Sequence, residues 1–126
     1  MQTILVVDDE PTVLTLCQRI LKMGGYEALS ASGPEQALKI VESNPGKIDL
    51  AVLDVIMPGM NGIELAQRIQ GAKPETRILL MSGFGPKEIA RIISVNPYRM
   101  IWKPFKTESL LRMIENALSD SYNATA

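Results

Sequence analysis

Five short strand-like runs, each followed by a helical pattern, constrain the fold of this chain more than any other feature. Ile4-Leu5-Val6-Val7 ends at Asp8-Asp9, and Leu50-Ala51-Val52-Leu53 ends at Asp54. Arg77 to Met81 ends at Ser82-Gly83, and Arg99 to Trp102 ends at Lys103-Pro104. Short continuous apolar runs fit strands buried on both faces. Tyr26 to Ala31 alternates weakly and reads as an edge strand.

Between the runs lie helical patterns with start and stop signals. Pro11 suits the first turn of a helix that reaches Met23, and Gly24-Gly25 ends it. Ser32-Gly33-Pro34 opens a second helix with Ala37, Leu38 and Val41 on its inner face; Asn44-Pro45-Gly46 ends it. The turn-rich segment Met57-Pro58-Gly59-Met60-Asn61-Gly62 leads into a third helix over Ile63 to Ile69. A fourth follows Pro86 and carries Ile89, Ile92 and Ile93. Thr107 is expected to cap the last, with Glu108 in its first turn and Leu110, Leu111, Ile114, Ala117 and Leu118 on its core face. Five alternating pairs predict an α/β fold with a parallel sheet covered on both faces.

The chain has 126 residues, one domain's worth, with no repeat or compositional break. The division expected is one domain over 1–119 and a polar tail over 120–126. A net charge of −1 argues against a dedicated nucleic-acid binder. The single cysteine, Cys17, falls at core spacing in the first helix and cannot form an internal disulfide. No apolar stretch approaches the ~20 residues of a membrane span, and no signal peptide is visible. No membrane insertion and a cytoplasmic location are therefore expected. The absence of histidine removes His-based acid–base chemistry and His-ligated zinc.

In an open parallel sheet, ligands bind outside the carboxyl ends of the strands. The polar residues there are Asp8, Asp9, Asp54, Ser82 and Lys103. Taken singly, each has a plainer reading. An Asp after a strand is commonly a turn residue or helix cap, a Ser before Gly a turn, a Lys before Pro a solvated charge. All of them fall at C-terminal strand ends and none at the opposite ends, which favours a common site. If strands one and three are neighbours, three carboxylates meet and repel one another. Lys103 and a hard divalent cation such as Mg2+ would offset that charge. Carboxylate-bound metal, Lys and Ser together suit phosphoryl oxygens, and an aspartate can serve as the nucleophile. Asp54 stands alone at its strand end, which leaves Asp8 and Asp9 free to hold metal.

These segments resemble the response-regulator receiver domains of two-component signalling. The resemblance rests on Ile4-Leu5-Val6-Val7-Asp8-Asp9-Glu10, Asp54-Val55-Ile56-Met57-Pro58-Gly59-Met60-Asn61-Gly62, Met81-Ser82-Gly83 and Lys103-Pro104-Phe105. It covers essentially the whole chain. It implies a flavodoxin-like (βα)5 doubly wound sheet in the order 2-1-3-4-5. It implies that Asp54 accepts a phosphoryl group from a histidine kinase or histidine phosphotransfer protein. Mg2+ (or Mn2+) would be bound by Asp9, Asp54 and the Ile56 backbone carbonyl, with Asp8 acting largely through water. Lys103 and Ser82 would bind the phosphoryl group, and the Lys103–Pro104 peptide would be cis. The switch would change the surface of helix 4, strand 5 and helix 5, read by a downstream effector or a covalently linked domain. Leu79 to Phe84 resembles receivers attached to hybrid sensor kinases.

Two positions depart from the family pattern. Met100 stands where many receivers carry the aromatic switch residue. Trp102 shares its strand face, and is either packed under the last helix or exposed as an output contact. The rival function is a receiver-fold binding module that works without phosphorylation. An Asp-nucleophile phosphatase would want a second acid two residues after Asp54, where Ile56 stands. No nucleotide-binding loop of the G-x-x-x-x-G-K-[ST] kind is present. The expected protein is a phosphoacceptor that assists its own phosphorylation and dephosphorylation, not a turnover enzyme.

Overall fold

The β-branched and aliphatic runs become the strands of a single parallel sheet. A computed structural model describes residues 1–92 and 97–119. The strands are β1 (Thr3–Val7), β2 (Glu27–Ala31), β3 (Leu50–Asp54), β4 (Arg77–Ser82) and β5 (Arg99–Trp102), in the order β2-β1-β3-β4-β5. The helices are α1 (Pro11–Met23), α2 (Pro34–Ser43), α3 (Gly62–Ala72), α4 (Pro86–Ile92) and α5 (Thr107–Ser119). This is the flavodoxin-like architecture expected. Ile93 and the tail expected over 120–126 lie outside the described residues.

Strand alternation sorts the core into two layers. Ile4, Val6, Leu50, Val52, Leu79, Met81 and Ile101 face α1 and α5, where Cys17, Ile20, Leu21, Leu110 and Ile114 meet them. Leu5, Val7, Ala51, Leu53, Ile78 and Leu80 face α2, α3 and α4. The central strands are buried on both faces, which explains their unbroken apolar runs.

Several element ends differ from the sequence reading. β2 starts at Glu27, one residue after Tyr26. α3 runs to Ala72, not Ile69, because the Lys73 N–H still bonds the Ile69 carbonyl. α5 starts at Thr107 itself, since the Leu110 N–H bonds the Lys106 carbonyl. Ile92 lies open to solvent, so α4 buries only Ile89 among its described residues. Leu38, Leu111 and Leu118 pack at the edges of the two layers, partly buried. Among the described residues no helix is long and apolar enough to cross a membrane.

Register brings the strand ends level. Val7 pairs with Leu53, so Asp8 and Asp54 emerge side by side. Asp54 pairs with Met81, and Ser82 pairs with Trp102, so Lys103 follows at the same edge.

Candidate phosphoacceptor site

Asp8 is fully buried, and both of its oxygens are engaged. Oδ1 accepts from the Glu10 backbone N–H at 2.9 Å, and Oδ2 accepts from Lys103 Nζ at 2.7 Å. The same ammonium lies 3.4 Å from Glu10 Oε1 and 3.5 Å from Asp54 Oδ2. Lys103 is held to the sheet by its backbone N–H, which donates to the Ser82 carbonyl at 2.7 Å. Its peptide bond to Pro104 is cis.

Asp54 is 5% exposed. Burial pushes its carboxyl up to about 7, the neighbouring Asp8 and Asp9 charges add to the rise, and Lys103 opposes it. Burial alone would lower the Lys103 ammonium, but its bond to Asp8 and the charges of Asp54, Asp8 and Glu10 raise it instead. The lysine is therefore firmly cationic. The loop after Asp54 is tied back on both sides: the Val55 N–H bonds the Met81 carbonyl, and the Gly62 N–H bonds the Val55 carbonyl at 2.8 Å. Asn61 then caps α3, its side chain accepting from the Ile63 and Glu64 N–H groups.

Ser82 is buried at the end of β4. Its Oγ accepts from the Phe84 N–H at 2.9 Å and lies 3.2 Å from the Phe84 carbonyl. Ile56 is half-buried two residues beyond Asp54, while the Phe84 ring is largely exposed. Met100 is half-buried against the layer that holds Ile89. Trp102 is 39% exposed and on the sheet face away from α5, so it does not pack under that helix.

Carboxylate oxygens of Asp8, Glu10 and Asp54 lie within 4.8 Å of one another. Asp9 is exposed and stands outside that group. Glu10 is the residue the sequence reading passed over. Glu10 itself is extended (φ −94°, ψ 112°), but the chain bends at Asp9, and the Glu10 N–H turns back onto Asp8 Oδ1. No periodicity in the sequence marks it, because the bend at Asp9 that brings Glu10 beside Lys103 belongs to the folded loop. The donors are all hard oxygens, and one ammonium cannot neutralise them, so the set suits a hard divalent cation.

The site and fold can be set beside known proteins. The response regulator receiver domain family matches residues 4–115. The sensor kinase CckA of Brucella abortus is 30% identical over 117 residues, covering 92% of this chain and 12% of that protein. The chain thus spans about an eighth of that kinase. The solved receiver domain of hybrid histidine kinase CckA is 33% identical, with a TM-score of 0.77 over 92% of this chain and 98% of the other. The response regulator TrrA of Thermotoga maritima, solved in complex with Mg2+-BeF, is 32% identical, with a TM-score of 0.77 over 94% of this chain and all (100%) of that one. The family match runs over nearly the whole of the five-stranded fold, and the chain belongs to the response regulator receiver domains, the phosphorylation-type switches of two-component systems.

Proposed function

We propose that Asp54 takes a phosphoryl group from the phosphohistidine of a histidine kinase or histidine phosphotransfer protein. The observation that carries this reading is a buried carboxylate at the end of a central strand, 3.5 Å from a fixed ammonium and beside a second buried acid. One Asp54 oxygen attacks phosphorus as the phosphorus–nitrogen bond to the donor imidazole breaks, and the nitrogen keeps the electron pair. Attack needs the ionised carboxylate, and the rise to about 7 opposes ionisation. Positive charge at the site reverses that. Asp8, Asp54 and the Ile56 carbonyl, with Asp9 turned in from its exposed position, would hold Mg2+ or Mn2+, which would supply charge neutralisation and orientation for phosphoryl oxygens. A related receiver in complex with Mg2+-BeF supports the assignment.

The chain's own groups do the rest. Lys103 meets a phosphoryl oxygen, and its flexible stem lets it follow the new charge. Ser82 leaves the Phe84 backbone to donate to another oxygen. Phosphorylation adds roughly 1.5 to 2 negative charges and three acceptor oxygens, enough to draw both side chains inward. The β4–α4 loop then moves, and with it the surface of α4, β5 and α5, including Met100 and Trp102. A downstream effector or a linked domain reads that surface.

Intact mass tests the reading. After incubation with acetyl phosphate and Mg2+, one added phosphoryl group is expected, absent without metal and absent in Asp54→Ala. No added mass from either acetyl phosphate or a phosphorylated histidine phosphotransfer protein would leave the phosphate-independent binding module as the better account.

A further inference from the structure

Lys103 carries three N–H donors, and three acids surround it: Asp8 at 2.7 Å, Glu10 at 3.4 Å and Asp54 at 3.5 Å. These acids are graded in depth. The side chains of Asp8 and Asp54 are 0% and 7% exposed, whereas that of Glu10 is 60% exposed. Under the phosphoacceptor reading, the two deep acids are needed elsewhere. Asp54 becomes an acyl phosphate, and Asp8 turns its charge toward a cation. Glu10, the exposed member, is the one of the three that the proposed function does not place on the phosphoryl group or the cation.

We infer that Glu10 is the positioning residue for Lys103: its carboxylate keeps the ammonium at the mouth of the site once a cation competes for the buried acids. Without it, a lysine repelled by a divalent cation has only solvent to turn to. Its four-carbon stem is flexible, and the ammonium is strongly hydrated. With it, Lys103 stays within reach of the phosphoryl oxygens that Asp54 will carry. The backbone makes the arrangement self-consistent, because the N–H of Glu10 holds Asp8 while its side chain holds the partner of Asp8. This inference rests on the reading of Asp54 and Mg2+ given above.

The test reads the ammonium directly. In 15N-labelled protein, the Lys103 ammonium signal is assigned by its loss in Lys103→Met. With saturating Mg2+, its hydrogen exchange is expected to be about 1.5- to 5-fold faster in Glu10→Gln than in the wild type, the size of effect of one lost partly exposed ion pair. Equal exchange rates would overturn the inference. Calorimetric Mg2+ affinity distinguishes the rival role. A Kd raised less than about tenfold fits the loss of one nearby charge, whereas a rise of about a hundredfold or more would make Glu10 a metal ligand and overturn the assignment. Glu10 is exposed, so the variant should fold. Neither readout needs phosphoryl transfer, so a failure of Asp54 to accept phosphate would sink the proposed function while ammonium exchange still decides on Glu10.

Discussion

Asp54 is a carboxyl group whose ionisation the fold resists. Its ordinary value near 3.8 rises to about 7, first through burial and then through Asp8. A raised folded value means that its contribution to stability is fully present below pH 4 and is lost as pH climbs through 7. Above that, the wild type carries a cost on the order of 2–4 kcal/mol. Asp54→Asn should therefore melt higher than the wild type at pH 8 in EDTA, with the gain shrinking toward pH 4; identical melting curves at pH 8 would refute the assignment. The same buried setting bears on how long a phosphoryl group lasts. Ile56 and Phe84 are apolar and lie on the loops that follow β3 and β4. Replacing both with polar residues is expected to speed hydrolysis several-fold, at least ~3-fold, by admitting attacking water. Ile56 should contribute the larger share, because it is half-buried and Phe84 is largely exposed. Release of 32P from the phosphorylated protein measures this, and equal lifetimes would end the idea.

Elements place these residues, and the junction from β3 to α3 has the least slack. A Cβ on Gly62 would stand 2.5 Å from the Asp54 carbonyl oxygen and 3.0 Å from Val55 Cα, both backbone atoms. Gly62→Ala should lower stability by about 2 kcal/mol and slow phosphorylation, because the strand end that aims Asp54 must shift. Urea melts and acetyl phosphate kinetics on one sample check both halves. Strand ends were legible in the sequence because a parallel sheet gathers every C-terminus at one edge. Helix ends were less so. The last turn of α3, from Gln70 to Ala72, buries no side chain fully, so apolar periodicity cannot register it. Glu10 was missed because it meets Lys103 through a bend at Asp9, after β1 has ended, where strand periodicity gives no signal. Alternation placed Trp102 on the face of Met100, but whether its ring packs under the last helix or lies open was not legible until the fold put Ile101, not Trp102, toward α5.

At the scale of the whole molecule, the site and the proposed output face are joined by a segment that is lightly anchored among the described residues. Among the described residues, α1 buries three and α3 five, whereas α4 buries Ile89 alone. Ser82 sits where this weakly held segment leaves β4, and its hydroxyl now serves the Phe84 backbone. Glu88 closes the same loop by accepting from the Gly85 N–H at 2.6 Å. Few buried contacts mean a low free energy of local opening, so a bond gained by Ser82 can repack α4 without disturbing α1 or β1. Hydrogen exchange should therefore change on phosphorylation in the segment from Gly83 to Ile92 and in β5, while α1 and β2 stay unchanged. Ser82→Ala should still be phosphorylated at Asp54 yet lose at least about half of that change, because Lys103 alone would then carry the pull. A uniform response across the sheet, or an undiminished response in Ser82→Ala, would show that the signal does not run through the hydroxyl.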